Sequence, residues 1–161
     1  MTHSQAVHPE PTASSEERHA EGLTADDMVN YAARAAVALV WLYEGLWCKL
    51  AHGRPNHFYI AESMPGFTNL IAWVVLGYIG AIESVYAGWV LLGRMPRLAA
   101  VAQSALLIAM NTAGLLYARQ HIPDLGGMIV HNLAFLALIW LAALQTHARA
   151  RQRKEAGHAR C

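Results

Sequence analysis

Charge is scarce in this chain. Asp, Glu, Lys and Arg make up 14% of its 161 residues and 55% are apolar, where a soluble domain carries about a quarter charged. The shortfall argues against an ordinary soluble domain and points to a membrane. With a net charge of +1 and no soluble basic face, no nucleic-acid partner is expected. Cysteine is almost missing: Cys48 and Cys161 stand far apart with no Cys-x-x-Cys, so a disulfide framework, a zinc knuckle and a thiol redox motif all lack support. Cys48 reads as a small apolar packing residue. Missing too, from Met1 to Asp27, is any apolar run that could serve as a signal-peptide core. That segment is rich in Glu, Ser, His and Pro and is expected to be a disordered acidic tail, with His3, His8 and His19 solvated in it. Thr24-Ala-Asp-Asp27 offers a cap and first-turn acids for the helix that follows.

What is abundant is apolar sequence in long stretches. Span one runs from about Tyr31 to Leu50, span two from Leu70 to Leu92, span three from Leu98 to Leu116 and span four from Leu125 to Leu144. Each is about 19 to 23 residues, enough for a hydrocarbon core of roughly 30 Å. The expected fold is all-α: a four-transmembrane-helix bundle over residues 28–146, between the acidic tail 1–27 and a basic C-terminal tail 147–161. The short link Gly93-Arg-Met-Pro-Arg97 makes spans two and three antiparallel neighbours. The longer segment from Ala51 to Asn69 is too polar to cross and has room for a short surface helix.

Basic residues set the orientation. Of the twelve Lys and Arg, only Lys49, Arg54 and Arg119 fall on one side of a four-span arrangement. Both termini are therefore expected on the cytoplasmic side. Membrane lipid is the expected surrounding partner, and the basic tail from His147 to Lys154 has the composition to rest on anionic headgroups. Inside the spans, Gly80, Ser84 and Gly88 recur at intervals of four, as do Ala105, Ala109 and Ala113. Such stripes permit close backbone approach and are expected to form the seam between spans two and three.

Ionisable and amide groups at membrane depth are costly and ask for a partner. Glu44, Asn111 and His131, on three different spans, each lie roughly 8 to 9 Å below the outer boundary at about 1.5 Å per residue. Glu83 lies deeper, about 20 Å down, with Gln103 and Ser104 approaching it. Asn132 has the option of hydrogen bonding across helices. Glu44 and His131 read either as part of an outer-half pocket for a small polar headgroup or a proton, or as a staple fixing helix register. Trp41 and Trp47 flank Glu44 and offer faces for a flat ligand ring, although belt or packing roles are the simpler assignment for tryptophans here. In the loops, His52, His57, Glu62 and His121 are weak metal candidates, because no two of the histidines fall at a helical ligand spacing. No metal is assigned. Haem is disfavoured, since only His131 is securely inside a span.

Several of these stretches resemble the DoxX-like family. The resemblance rests on Trp41-Leu-Tyr-Glu-Gly-Leu-Trp-Cys-Lys-Leu50, on Gly80-Ala-Ile-Glu-Ser-Val-Tyr-Ala-Gly88 with Leu91 and Leu92, on Arg97, and on Pro123 through Gly127 leading to His131-Asn132-Leu133. It covers roughly Ala33 to Leu144. Such a resemblance implies a four-helix bundle in the bacterial cytoplasmic membrane, related to subunits of quinone-linked redox complexes. The matched positions are Trp41, Gly45, Lys49, Glu83, Gly88 and Asn132; His131 stands where the family leads one to expect lysine. The function expected first is a quinone-associated accessory subunit, its pocket of Glu44, Asn111 and His131 taking a quinone headgroup, with no covalently bound cofactor and no catalysis of its own. Two alternatives stay open: a structural or assembly protein that docks partner subunits, and a small-solute or proton transporter, for which so small a chain would form homo-oligomers.

Overall fold

The computed structural model describes residues 25–158, apart from the side chains of residues 153, 154, 156 and 157. The tail before Ala25, with its histidines and the Thr24 cap, lies outside the described residues, as do Arg160 and Cys161. Helix α1 (Ala25–Leu42) continues without a break into a π-helical segment, Tyr43–Leu50. Four helices follow: α2 (Pro55–Glu62), α3 (Asn69–Leu92), α4 (Pro96–Tyr117) and α5 (Leu125–His158), with a 3-10 turn at Arg119–His121. No strand occurs among the described residues. Three helices are long and apolar enough to cross a bilayer: α3, α4 and the first 28 residues of α5. Leucines, valines and isoleucines such as Leu39, Leu70, Val85, Ile108 and Leu133 cover the outside, as a lipid-facing bundle requires.

Local chemistry explains the helix ends. Thr68 accepts a bond from the Ile71 amide at 3.4 Å to open α3. Gly93 closes it in the left-handed conformation, φ 65°. Arg34 reaches across from α1 to donate to the Val90 and Leu91 carbonyls, placing a cation where the helix dipole is negative. A Cβ at Gly93 would sit 2.9 Å from that guanidinium, which would have to give way, but the positive φ is what calls for glycine. Asp124 accepts from the Gly127 amide at 2.9 Å to start α5, which then runs on through the basic tail to His158.

Packing departs from the expected seam. Helix α1 and its π-helical extension lie along α3, α1 also packs on α5, and α4 packs chiefly on α5. Between α3 and α4 contact is slight, because their short link ties only adjoining ends. Gly80 faces the π-helical segment, Gly88 has open space where a Cβ would be, and Ala105 and Ala109 are exposed. The core is centred on Trp41, which is 2% exposed and meets Tyr86 and Phe135 edge-on at 5.6 and 5.3 Å. The expected surface helix is α2, sealed to α3 through Ala61, Ala72 and Leu76 with Phe58 against them.

Candidate functional site

The site is made where the π-helical segment crosses α3. Gly45 and Gly80 face each other so closely that a Cβ on Gly45 would lie 2.6 Å from the Gly80 carbonyl, and one on Gly80 would lie 2.9 Å from the Gly45 carbonyl. Only glycine allows that approach. It brings Lys49, one turn beyond Gly45, against Glu83, one turn beyond Gly80. The ammonium stands 2.9 Å from Glu83 Oε1 as a hydrogen bond. It is 2.8 Å from Oε2, an ionic contact without hydrogen-bond alignment. Lys49 is 3% exposed and Glu83 1%. Two charges so deeply removed from water persist only as partners.

The pair has company. Glu44 Oε2 lies 3.6 Å from the same ammonium, which also donates weakly to the Glu44 carbonyl at 3.4 Å. In a regular α-helix residues five apart point roughly 140° away from each other, whereas i to i+5 winding stacks them. The Ala51 amide donates to Leu46 in that same register at 2.7 Å. The π segment is therefore what puts Glu44 and Lys49 on one face, a distortion frequent at functional sites. On the far side of Glu44, His57 from α2 brings Nε2 to 3.9 Å. Burial lowers the His57 pKa below its ordinary value; Lys49 and Arg54 push the same way and Glu44 opposes them. Glu44 itself is 30% exposed, so the cluster steps from an accessible rim to a sealed interior through His57, Glu44, Lys49 and Glu83.

Other polar residues find different partners. Trp41 donates to Gln103 Oε1 at 2.6 Å, and Gln103 donates back to the Ala99 carbonyl at 2.9 Å, so Gln103 bonds to tryptophan and not to Glu83. Asn132 donates to Asn111 at 2.6 Å, a cross-helix bond of the kind its place suggested. Ser104 accepts from Trp140 at 3.2 Å and forms no link to Asn111.

The expected pocket of Glu44, Asn111 and His131 is not assembled: no hydrogen bond or ion pair joins them among the described residues. Equal depth did not mean a common face. Glu44 turns toward α3 and α2, Asn111 toward Asn132, and His131 lies exposed on the outside of α5. The tryptophans do not flank a shared opening either, since Trp41 is sealed in the core and Trp47 is exposed. The loop residues also disperse: His52 rests on Trp73 at 4.3 Å, His121 stacks on Tyr59 at 5.8 Å, His57 faces Glu44 and Glu62 is exposed. No group of three His, Cys, Asp or Glu placed to hold a metal exists among the described residues.

Long apolar helices around a buried ion pair define an integral, multi-pass membrane protein. The DoxX-like family model matches residues 38–140, most of the chain and the whole of the ion cluster, and the protein belongs to that family. No curated protein and no solved structure matches it.

Proposed function

We propose that this protein is a four-span accessory subunit of a quinone-linked redox system in a bacterial cytoplasmic membrane, with both termini cytoplasmic. The fourth span is α1 with its π-helical extension: Ala25–Leu42 alone is roughly 27 Å long, close to the hydrocarbon thickness of roughly 30 Å. Asp26, Asp27 and Arg34 all lie before the last third of α1, toward the end where Arg94, Arg97 and Arg149 also lie. At the opposite end Lys49 is internally neutralised, so only Arg54 and Arg119 remain there as loop cations. That imbalance favours termini inside.

The observation carrying the function is the run of ionisable groups from a rim open at Glu44 to a buried carboxylate, at one end of a membrane bundle. A quinone headgroup needs hydrogen-bond donors and acceptors for its two oxygens near the membrane boundary, and His57 with Glu44 offers both, with Lys49 behind them. The test is titration of a short-chain quinone analogue into the purified protein, followed by tryptophan fluorescence. Binding weakened in Glu44→Gln and His57→Phe, with melting temperature held, is the expected result. Absence of binding, or binding untouched by both changes, removes the quinone assignment.

A second reading has its own observation. The ammonium already holds both oxygens of Glu83 at 2.8 and 2.9 Å, which is how a register staple is built. An assembly subunit with such a staple would lose melting temperature and co-purifying proteins together in Lys49→Met, with no ligand affinity to lose.

A further inference from the structure

At the end of the bundle away from the ion cluster, α1, α3, α4 and α5 border a small cleft with an open mouth. Arg34 and Arg94 stand in its wall, and no Asp or Glu does. Of the two acids in the first turn of α1, Asp26 and Asp27, neither lines the cleft, and Asp27 is met by Arg149 at 2.7 Å. Arg34 uses Nε and one terminal nitrogen on the α3 carbonyls, which leaves its other terminal nitrogen without a hydrogen bond among the described residues. The Arg94 guanidinium makes no ion pair among the described residues; only its backbone carbonyl is engaged, by the Trp89 indole at 2.7 Å. Two cations thus share one concavity with no anion supplied by its walls. Directly outside, Leu91, Leu92, Met95 and Leu98 are 50 to 72% exposed, in a protein whose surroundings are lipid.

We propose that this cleft binds the headgroup of an anionic phospholipid, its phosphate between Arg34 and Arg94 and its acyl chains along the exposed leucines of α3 and α4. Planar guanidinium groups suit phosphate oxygens, and basic pockets between spanning helices are where acidic lipid heads collect. The apolar mouth selects a lipid over a free anion, because inorganic phosphate gains nothing from Leu91, Leu92 or Leu98.

Native mass spectrometry of the detergent-solubilised full chain, titrated with dioleoyl phosphatidylglycerol or dioleoyl phosphatidylcholine, tests the assignment. Phosphatidylglycerol is expected to bind at least about fivefold more tightly, and Arg94→Gln to lower its affinity about fivefold, the effect of one basic residue near a charged surface. Arg94→Lys should recover most of that loss, and Arg119→Gln, at the other end, should lose none. Because the Arg94 side chain makes no hydrogen bond or ion pair among the described residues, its variants should melt with the parent. Equal binding of the two lipids, or a phosphatidylglycerol preference intact in Arg94→Gln, overturns the proposal. Displacement of the lipid by inorganic phosphate at equal concentration would overturn it as well, in favour of a free-anion site.

Discussion

Removing one member of the Lys49–Glu83 pair should cost far more than removing both. At 2.8 to 2.9 Å and an effective dielectric near 20, their attraction is about 6 kcal/mol. Desolvating the two ions costs several kcal/mol each, so the intact pair is close to neutral against an apolar pair of similar volume. A single substitution leaves the opposite charge buried and unmet, a loss of roughly 3 to 5 kcal/mol. Glu44 ranks the singles. Lys49→Met strands two carboxylates within reach of one another, whereas Glu83→Gln leaves the ammonium with Glu44 at 3.6 Å. The expected order of destabilisation is therefore Lys49→Met, then Glu83→Gln, with Lys49→Met/Glu83→Leu nearest the parent. For a chain of this length about 3 to 5 kcal/mol corresponds to a fall of roughly 6 to 20 °C in melting temperature, measured by circular dichroism at 222 nm in mild detergent. If Lys49→Met melts within about 2 °C of the parent, or the double variant is no better than the worse single, the two groups are not a desolvated pair and the site is misdescribed.

Other perturbations follow from the same geometry. Gly45→Ala, whose Cβ would sit 2.6 Å from the Gly80 carbonyl, should cost about 1 to 3 kcal/mol by overpacking. Gly88→Ala, with open space around it, should be neutral or stabilising by up to about 1 kcal/mol; equal effects at the two glycines in a thermal melt would refute the close crossing. Gln103→Leu leaves the buried Trp41 indole N–H without its acceptor and should lower stability by about 1 to 3 kcal/mol, while an unchanged melt would mean that bond contributes nothing. The depressed His57 pKa has a definite sign. The unfolded chain takes up the proton near pH 6.5 while the fold resists it, so stability is full above about pH 6.5 and falls as the pH drops toward the lower folded value. The melting temperature should decline between pH 7.5 and 5.5, and His57→Gln should flatten that decline; an identical slope in the variant would clear His57 of the effect.

The long helices were legible because lipid-crossing sequence is written in length and hydropathy, and α3, α4 and α5 lie where apolar runs stood. Glu83 was visible as an acid in need of a partner. Its partner was not, for two physical reasons. Lys49 stands near the end of its span, where a lysine ordinarily reaches out to the interface and reads as a topology signal. Its alignment with Glu44 also depends on π winding, which α-helical spacing cannot reveal. The resemblance had already singled out Gly45, Lys49 and Glu83, and the fold unites those three through the Gly45–Gly80 crossing. The same limit applies to Glu44, Asn111 and His131: depth along an axis follows from residue count, but the direction in which each side chain leaves its helix depends on neighbours that only tertiary structure supplies.

The composition of the cluster bears on what the pair is for. A register staple needs one cation and one anion, as close as Lys49 and Glu83. Adding Glu44 3.6 Å from the same ammonium gives the lysine two acids, and adding His57 3.9 Å from Glu44 gives the second acid a titratable neighbour. Neither addition improves a staple: a second carboxylate competes for the lysine, and a half-buried imidazole is held against its preference for charge. Both make sense where hydrogen bonds are exchanged with something arriving at the rim, since the outer acid is then free to engage it while the inner pair holds the helices together. The division is measurable. Glu44→Gln should leave the melting temperature within a few degrees of the parent, because its side chain is partly solvated and salt bridges so placed contribute about 1 kcal/mol or less, while weakening the quinone-analogue binding proposed for the rim. A Glu44→Gln variant that melts as low as Lys49→Met would place Glu44 inside the staple and leave the rim without a separate task.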